Sequence, residues 1–273
     1  MSTTLHLSER LGTLGGIDAG KGAPLVLIHG VGMNSAAWGP QIEALSDRYR
    51  VIALDMPGHG QSSPLPDTAR LPDYVGWLHQ VLEALDLGPV SLAGHSMGAL
   101  VAGGMAVEHP DQVTRVALLN GVFRRDPAAR EAVKARAALI AQGVFDLTTP
   151  LTRWFAETPE EQSAREKVAG WLKAVDPNGY ATAYRAFAEG DATYADRFAQ
   201  ITCPLLALTG SGDPNSTPAM AEAMARAAPR GRTLIIEDQR HMVNLTAPAR
   251  VNAALEEWLA IPALAPVTGG GAP

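Results

Sequence analysis

The stretch Leu92–Gly104 reads LAGHSMGALVAGG, and its centre, Gly94-His95-Ser96-Met97-Gly98, decides how the rest of the chain is interpreted. A short apolar run, Val90 to Ala93, leads into it, and the helix-compatible residues Ala99 to Ala102 leave it. That order is strand, very tight turn, helix, with Ser96 at the apex of a G-x-S-x-G bend. Glycine suits positions 94 and 98 because the two arms of such a turn pass too close for a Cβ. The bend exposes the Ser96 hydroxyl and points the Met97 backbone N–H to where negative charge would develop on an attacked carbonyl.

Upstream of the bend, Leu25 to Ile28 is a continuous apolar run ending at His29-Gly30, and Tyr49 to Leu54 reads as a second buried strand, broken by Asp55-Met56-Pro57-Gly58. Continuous rather than alternating hydrophobicity predicts strands covered on both faces, as in a parallel sheet. Trp38, Ile42 and Leu45 give one side of a short helix, and Leu71, Val75, Leu78, Leu82 and Leu85 form a longer helical stripe. The helix after Ser96 runs to His109 and stops before Pro110, and Val113 to Leu119 is the next strand. Residues 5–20 alternate weakly and read as a strand pair or ragged hairpin; their glycines lack dinucleotide-fingerprint spacing. The alternation of strand and helix predicts an α/β protein with a mostly parallel, doubly wound sheet and Ser96 just beyond a strand's carboxyl end.

From about 122 to 200 the pattern changes. No buried strand is evident there, and helices are expected over Ala129–Gln142, Leu151–Phe155, Gln162–Val175 and Tyr180–Glu189. A helical insertion between two strands can border the crevice without interrupting the sheet, so the segment reads as a cap. Trp154, Phe155, Trp171 and Phe187 are candidates for its apolar wall, and Arg124 and Arg125 read as a solvated boundary pair. Strands resume at Pro204–Gly210 and Thr233–Ile236, and Val251, Leu255 and Leu259 mark a last amphipathic helix. The division expected is a core of residues 1–121 and 201–262, a cap of 122–200 and a loosely held tail of 263–273.

The chain has 273 residues, 47% of them apolar and 18% charged, which fits a globular protein with a sizeable core. A net charge of −6 without long runs of either sign argues against nucleic acid or an anionic membrane as partner. One cysteine, Cys203, excludes intramolecular disulfides and cysteine-based zinc sites, and it reads as a small buried hydrophobe. Neither a signal-like start nor an apolar run of about 18 residues is evident, so the cytoplasm is the expected compartment. A surface apolar helix and a cap folded onto the sheet leave the same sequence signature, so no oligomeric state follows.

A serine hydroxyl needs a nearby imidazole to accept its proton, and the imidazole needs a carboxylate to orient it. Of seven histidines, His241 stands out, in a polar loop after a strand and before a helix. His95 is too constrained beside Ser96 to act as base, His29 reads as a structural hydrogen-bonding residue, and His59 sits in a turn. Asp213 occupies the corresponding polar loop after the preceding strand.

Taken together, HGVG at 29–32, DMPGHGQS at 55–62, GHSMG at 94–98, CPLLALTGSGD at 203–213 and RHMVN at 240–244 resemble the α/β-hydrolase fold family. The similar group is that of capped single-domain esterases, enol-lactonases, haloperoxidase-like enzymes and carbon–carbon hydrolases. The resemblance implies Ser96 as nucleophile, Asp213 as orienting acid, His241 as general base, and the amides of Val31 and Met97 as an oxyanion hole. Gly30 and His95, flanking those amides, and Trp154 and Phe155 in the cap are expected to contact substrate. Arg240 stands where relatives usually have glycine, and Thr246 where many have glutamate; Arg240 reads as solvent-facing. The activity implied is cofactor-independent, metal-free hydrolysis of a small carboxylic ester, thioester or lactone through an acyl-enzyme. The alternatives are hydrolysis of a carbon–carbon bond in a diketone or ring-cleavage product, and a small-molecule receptor on a hydrolase scaffold.

Overall fold

The computed structural model describes residues 2–8, as backbone, and 12–262; the tail expected over 263–273 lies outside them. The described strands are β1 (Ser2–Ser8), β2 (Gly12–Ala19), β3 (Pro24–Ile28), β4 (Arg50–Leu54), β5 (Val90–His95), β6 (Val113–Leu119), β7 (Leu205–Gly210) and β8 (Gly231–Ile236). They form one eight-stranded sheet in the order β1-β2-β4-β3-β5-β6-β7-β8. The weakly alternating N-terminal stretch is the antiparallel β1–β2 pair, with Leu5 opposite Leu14, and β2 is antiparallel to β4. All pairings from β4 through β3, β5, β6 and β7 to β8 are parallel.

The continuous apolar runs become strands buried on both faces. Leu25 and Leu27 of β3, with Val51 and Ala53 of β4, point to one side, where they pack with Trp38, Leu45, Val251, Leu255 and Trp258. Those partners come from and around α1 (Gly39–Leu45) and a C-terminal helix over Pro248–Leu259. Val26, Ile28, Ile52 and Leu54 point to the other side and meet α2 (Leu71–Ala84) and α3 (Met97–Glu108). α3 is buried along nearly its whole length because the sheet, α2 and the helices above enclose it.

Between β6 and β7 the chain leaves the sheet for α4 (Pro127–Ala141), α5 (Thr148–Trp154), α6 (Pro159–Ala174) and α7 (Pro177–Gly190), the helical cap. All four start two or three residues earlier than the apolar periodicity predicts. The first turns of α4, α6 and α7 begin at proline, whose missing N–H has no helical partner to lose, and the Asp126 and Asp176 side chains cap the free amides of α4 and α7. After β7 come α8 (Pro218–Ala227), β8, the single turn α9 (Val243–Thr246), and α10 (Pro248–Leu259).

Ser96 sits between β5 and α3 with φ 54° and ψ −114°, a backbone conformation that costs energy for a residue with a Cβ. It is held there by a crossing of chains without room for side chains. A Cβ on Gly94 would run into the Gly98 carbonyl, and one on Gly98 into the carbonyls of Ile28 and His29. Gly98→Ala is therefore expected to lower unfolding stability by about 3 kcal/mol or more, measurable by urea denaturation.

The loops after β3 and β4 are tied together by two buried histidines. His29 Nε2 accepts from the Met56 N–H at 2.9 Å while its Nδ1–H donates to the Gly30 carbonyl at 2.7 Å. His59 Nε2 accepts from the Gly32 N–H at 2.9 Å while its Nδ1–H donates to the Pro57 carbonyl at 3.1 Å. Both rings must be neutral to accept at Nε2. Burial lowers the pKa of each, that of His59 to about 3, with the neighbouring His29 pushing in the same direction. In the unfolded chain both titrate near their ordinary value of about 6.5, so below that pH the unfolded state binds more protons and the folded state loses stability. Unfolding free energy is expected to fall as pH drops below about 6.5, by up to about 1.4 kcal/mol per pH unit for each such histidine. His59→Gln, measured by urea unfolding across the same pH range, should remove its share of that slope.

Candidate active site

Three loops at the carboxyl ends of β5, β7 and β8 meet over the start of α3. Ser96 is fixed by its own N–H, which donates to the Leu119 carbonyl at 2.8 Å. Its side chain and the His241 ring line one cavity of about 220 Å³, with Val31 at its edge. Among the described residues no hydrogen bond joins Ser96 to the His241 ring; the two side chains share the cavity instead. The N–H groups of Val31 and Met97 donate to no protein acceptor among those residues, which leaves two amides free beside the serine.

Asp213 reaches His241 as its place in the chain suggests. Its Oδ2 lies 2.7 Å from His241 Nδ1 and also accepts from Asn120 Nδ2 at 2.8 Å. Its Oδ1 accepts from the N–H groups of Asn215 at 2.8 Å and Ser216 at 3.1 Å. Burial alone would raise this carboxyl's pKa, but the His241 charge and the hydrogen bonds from His241, Asn120 and Asn215 together hold it below the ordinary carboxylate range. An ionised, fully coordinated Asp213 fixes the Nδ1–H tautomer of His241 and leaves Nε2 as the proton acceptor.

Asn120 was not anticipated from sequence. It closes β6 in a left-handed conformation, φ 48°, and its amide also donates to Thr209 Oγ1 at 3.1 Å. The signal available was an asparagine directly after a buried strand that ends beside the predicted acid loop.

Several expected substrate contacts are corrected. His95 is buried beneath the site: its Nε2–H donates to the His241 carbonyl at 2.8 Å, and burial, reinforced by the neighbouring His241, lowers its pKa to about 3. It positions the His241 backbone. Gly30 lies behind Ser96, where a Cβ would press on Ser96 Cβ and His95 Nδ1 at 3.0 and 3.1 Å. Phe155 is only 1% exposed and belongs to the core. Of the four, Trp154 alone lines the cavity; its ring stacks on His241 with centroids 5.5 Å apart. Arg240 does not simply face solvent: it donates to the carbonyls of Thr152 and Phe155, both at 2.8 Å, while the His241 N–H donates to that of Trp154 at 3.3 Å. The segment after β8 is thereby clamped to the cap at α5. Thr246 donates to Gln239 Oε1 at 2.6 Å, bracing the same loop.

The boundary pair also divides. Arg124 is exposed and pairs with Asp196, whereas Arg125 is buried and borders the cavity. Cys203 lies elsewhere, its thiol pushed up to about 11 by burial. A larger surface cleft of about 820 Å³, between Gly58–Leu65 and Trp171–Gly179, contains neither Ser96 nor His241. Among the described residues no three His, Cys, Asp or Glu side chains cluster as metal ligands, and no helix is long and apolar enough to cross a membrane.

Residues 23–248 match the family model described as alpha/beta hydrolase fold. The chain is 54% identical over 259 residues to (E)-2-((N-methylformamido)methylene)succinate hydrolase of Acinetobacter baylyi, covering 95% of this chain and 98% of that one. It is 29% identical to 3-oxoadipate enol-lactonase 1 of the same organism, over 86% of this chain and 88% of the relative. A thermophilic esterase from Thermogutta terrifontis, solved with malate bound, superposes with a TM-score of 0.84 at 29% identity, covering 95% and 98% of the two chains. With its mostly parallel sheet, helical cap and these relatives, the chain belongs to the α/β-hydrolase fold family and is a hydrolase.

Proposed function

We propose that Ser96, His241 and Asp213 act as nucleophile, general base and orienting acid, with the Val31 and Met97 amides as oxyanion hole. The observation that carries this reading is the 2.7 Å Asp213–His241 contact beside a cavity that Ser96 also lines. The substrate proposed is an N-formylated enamine dicarboxylate of the kind named for the A. baylyi relative, (E)-2-((N-methylformamido)methylene)succinate. Identity of 54% over nearly the full length of both chains supports that choice over the lactone of the more distant relative.

Rotation of the Ser96 side chain brings Oγ to His241 Nε2, a contact that commonly tightens only when substrate binds. Nε2 takes the hydroxyl proton as Oγ attacks the formyl carbonyl, and the two amides hold the resulting oxyanion. Collapse breaks the carbon–nitrogen bond, and protonated His241 gives its proton to the departing nitrogen. A formyl ester remains on Ser96. Water, losing a proton to neutral His241, then attacks this ester and releases formic acid and the free serine. Core residues 1–121 and 201–262 supply the chemistry in this reading, and residues 122–200 cover it. The cytoplasm is the compartment proposed, checked by fractionation of cells expressing the protein.

Incubation with the formamide dicarboxylate is expected to release formate over many turnovers. Ser96→Ala should reduce kcat on the order of 10⁴-fold or more, and Asp213→Asn about 10⁴-fold by removing the acceptor that sets the His241 tautomer. Rapid quench and intact-protein mass spectrometry should find one added formyl group on the wild-type chain and none on S96A. Formate release that persists in S96A would overturn the mechanism.

A further inference from the structure

We propose that the cap wall of the Ser96 cavity is a carboxylate-binding subsite in which Arg125, Arg136 and Arg153 receive the two anionic groups of a dicarboxylate acyl substrate. The inference rests on the reading above and adds to it the side chains that read the substrate's charge.

The central observation is Arg125. Its side chain is 3% exposed, and Nη1 lies 3.4 Å from Asp191 Oδ1 and donates to the Phe187 carbonyl at 3.3 Å. Nη2 is buried with no protein acceptor. A guanidinium taken out of water with an unfilled donor is costly, and because Arg125 also lines the Ser96 cavity, an anion bound there would meet its positive charge. Asp191 does not neutralise the group: its carboxylate, 1% exposed, also takes the Arg125 backbone N–H at 2.6 Å and Arg130 Nη2 at 3.2 Å. Two arginines thus share one aspartate, leaving a local excess of one positive charge. The Arg125 guanidinium lies 4.4 Å from the centre of the Phe187 ring, a cation–π contact inside the cavity wall.

Arg136 and Arg153 border the same cavity. Arg136 donates to the Asp146 backbone carbonyl at 3.0 Å, and the neighbouring Asp146 carboxylate partly offsets its charge. Arg153 makes no hydrogen bond or ion pair among the described residues. The acidic residue in the cavity lining is Asp126, one negative charge against the three arginines there, and its carboxylate accepts the Ala129 N–H at 2.9 Å. The cap as a whole carries as many acidic as basic side chains, so this local imbalance is not a consequence of its composition. The buried Arg125 suits one carboxylate, and the more accessible Arg136 and Arg153 suit the second, with Trp154 and Phe187 against the carbon skeleton.

The test titrates the whole enzyme calorimetrically, at low ionic strength, with succinate and with uncharged dimethyl succinate. Succinate should bind at least tenfold more tightly than the diester, and Arg153→Met and Arg125→Lys should each weaken succinate at least tenfold. Arg125→Lys keeps a cation beside Asp191 while removing the free Nη2 donor, and Arg153 lies at an exposed site, so both folding and the readout survive. In turnover, the ratio of kcat/KM for monomethyl succinate to that for dimethyl succinate should fall at least tenfold in each variant. A merely structural role would lower both esters in parallel and leave the ratio unchanged, overturning the proposal, as would equal binding of diacid and diester. Charge-selective succinate binding without turnover of the formamide dicarboxylate would refute the substrate assignment and uphold the subsite. Turnover of that compound without charge selectivity would do the reverse.

Discussion

The start of α3 lies against the end of β3, and only because positions 94 and 98 have no side chain can the backbone at Gly98 approach the carbonyls of Ile28 and His29. That contact holds Ser96 at positive φ, lifts its hydroxyl out of the sheet and leaves the Met97 amide free. The conformation is unfavourable for serine taken alone, and the surrounding core, buried on both faces of β3 and β5, keeps it in place. Local strain at Ser96 is thus maintained by packing from the core around it.

Around this point most of the polar groups are buried and partnered, Asn120 Oδ1 and the Met97 amide excepted. Asp213 accepts from four donors, His29 and His59 each satisfy one donor and one acceptor, and His95 holds the backbone of His241. Satisfied networks of this kind are rigid, because moving any member strands another in a medium without water. His241 is therefore presented by a loop whose position is set from below by His95 and from above by the cap carbonyl of Trp154. Arg240 extends that coupling by joining the His241 loop to the cap at two further carbonyls.

Much of this was legible along the chain. Continuous apolar runs at 25–28, 51–54, 116–119 and 205–208 identified strands covered on both sides, and their alternation with helical stripes predicted the layering. Helix starts in the cap came out late because periodicity registers only the buried face, whereas the first turns are set by proline and aspartate caps. Phe155 and Trp154 are adjacent aromatic residues with the same apparent claim to the ligand, yet one enters the core and the other stacks on His241. Neighbours on a helix end point in different directions, and composition does not say which faces the crevice.

The linear sequence by itself determined the fold family, the identity of the bend at Ser96 and the order of serine, acid and base, since each depends on local spacing and on glycines that admit one backbone path. Tertiary structure decided what Arg125, Arg240 and Asn120 do. Their partners lie about 60 to 120 positions away in the chain, and the worth of a charge or an amide depends on the dielectric and the acceptors around it. Those are properties of the packed molecule, which is why an arginine that looked like a solvated boundary residue stands, once folded, as an unfilled donor in the wall of the site.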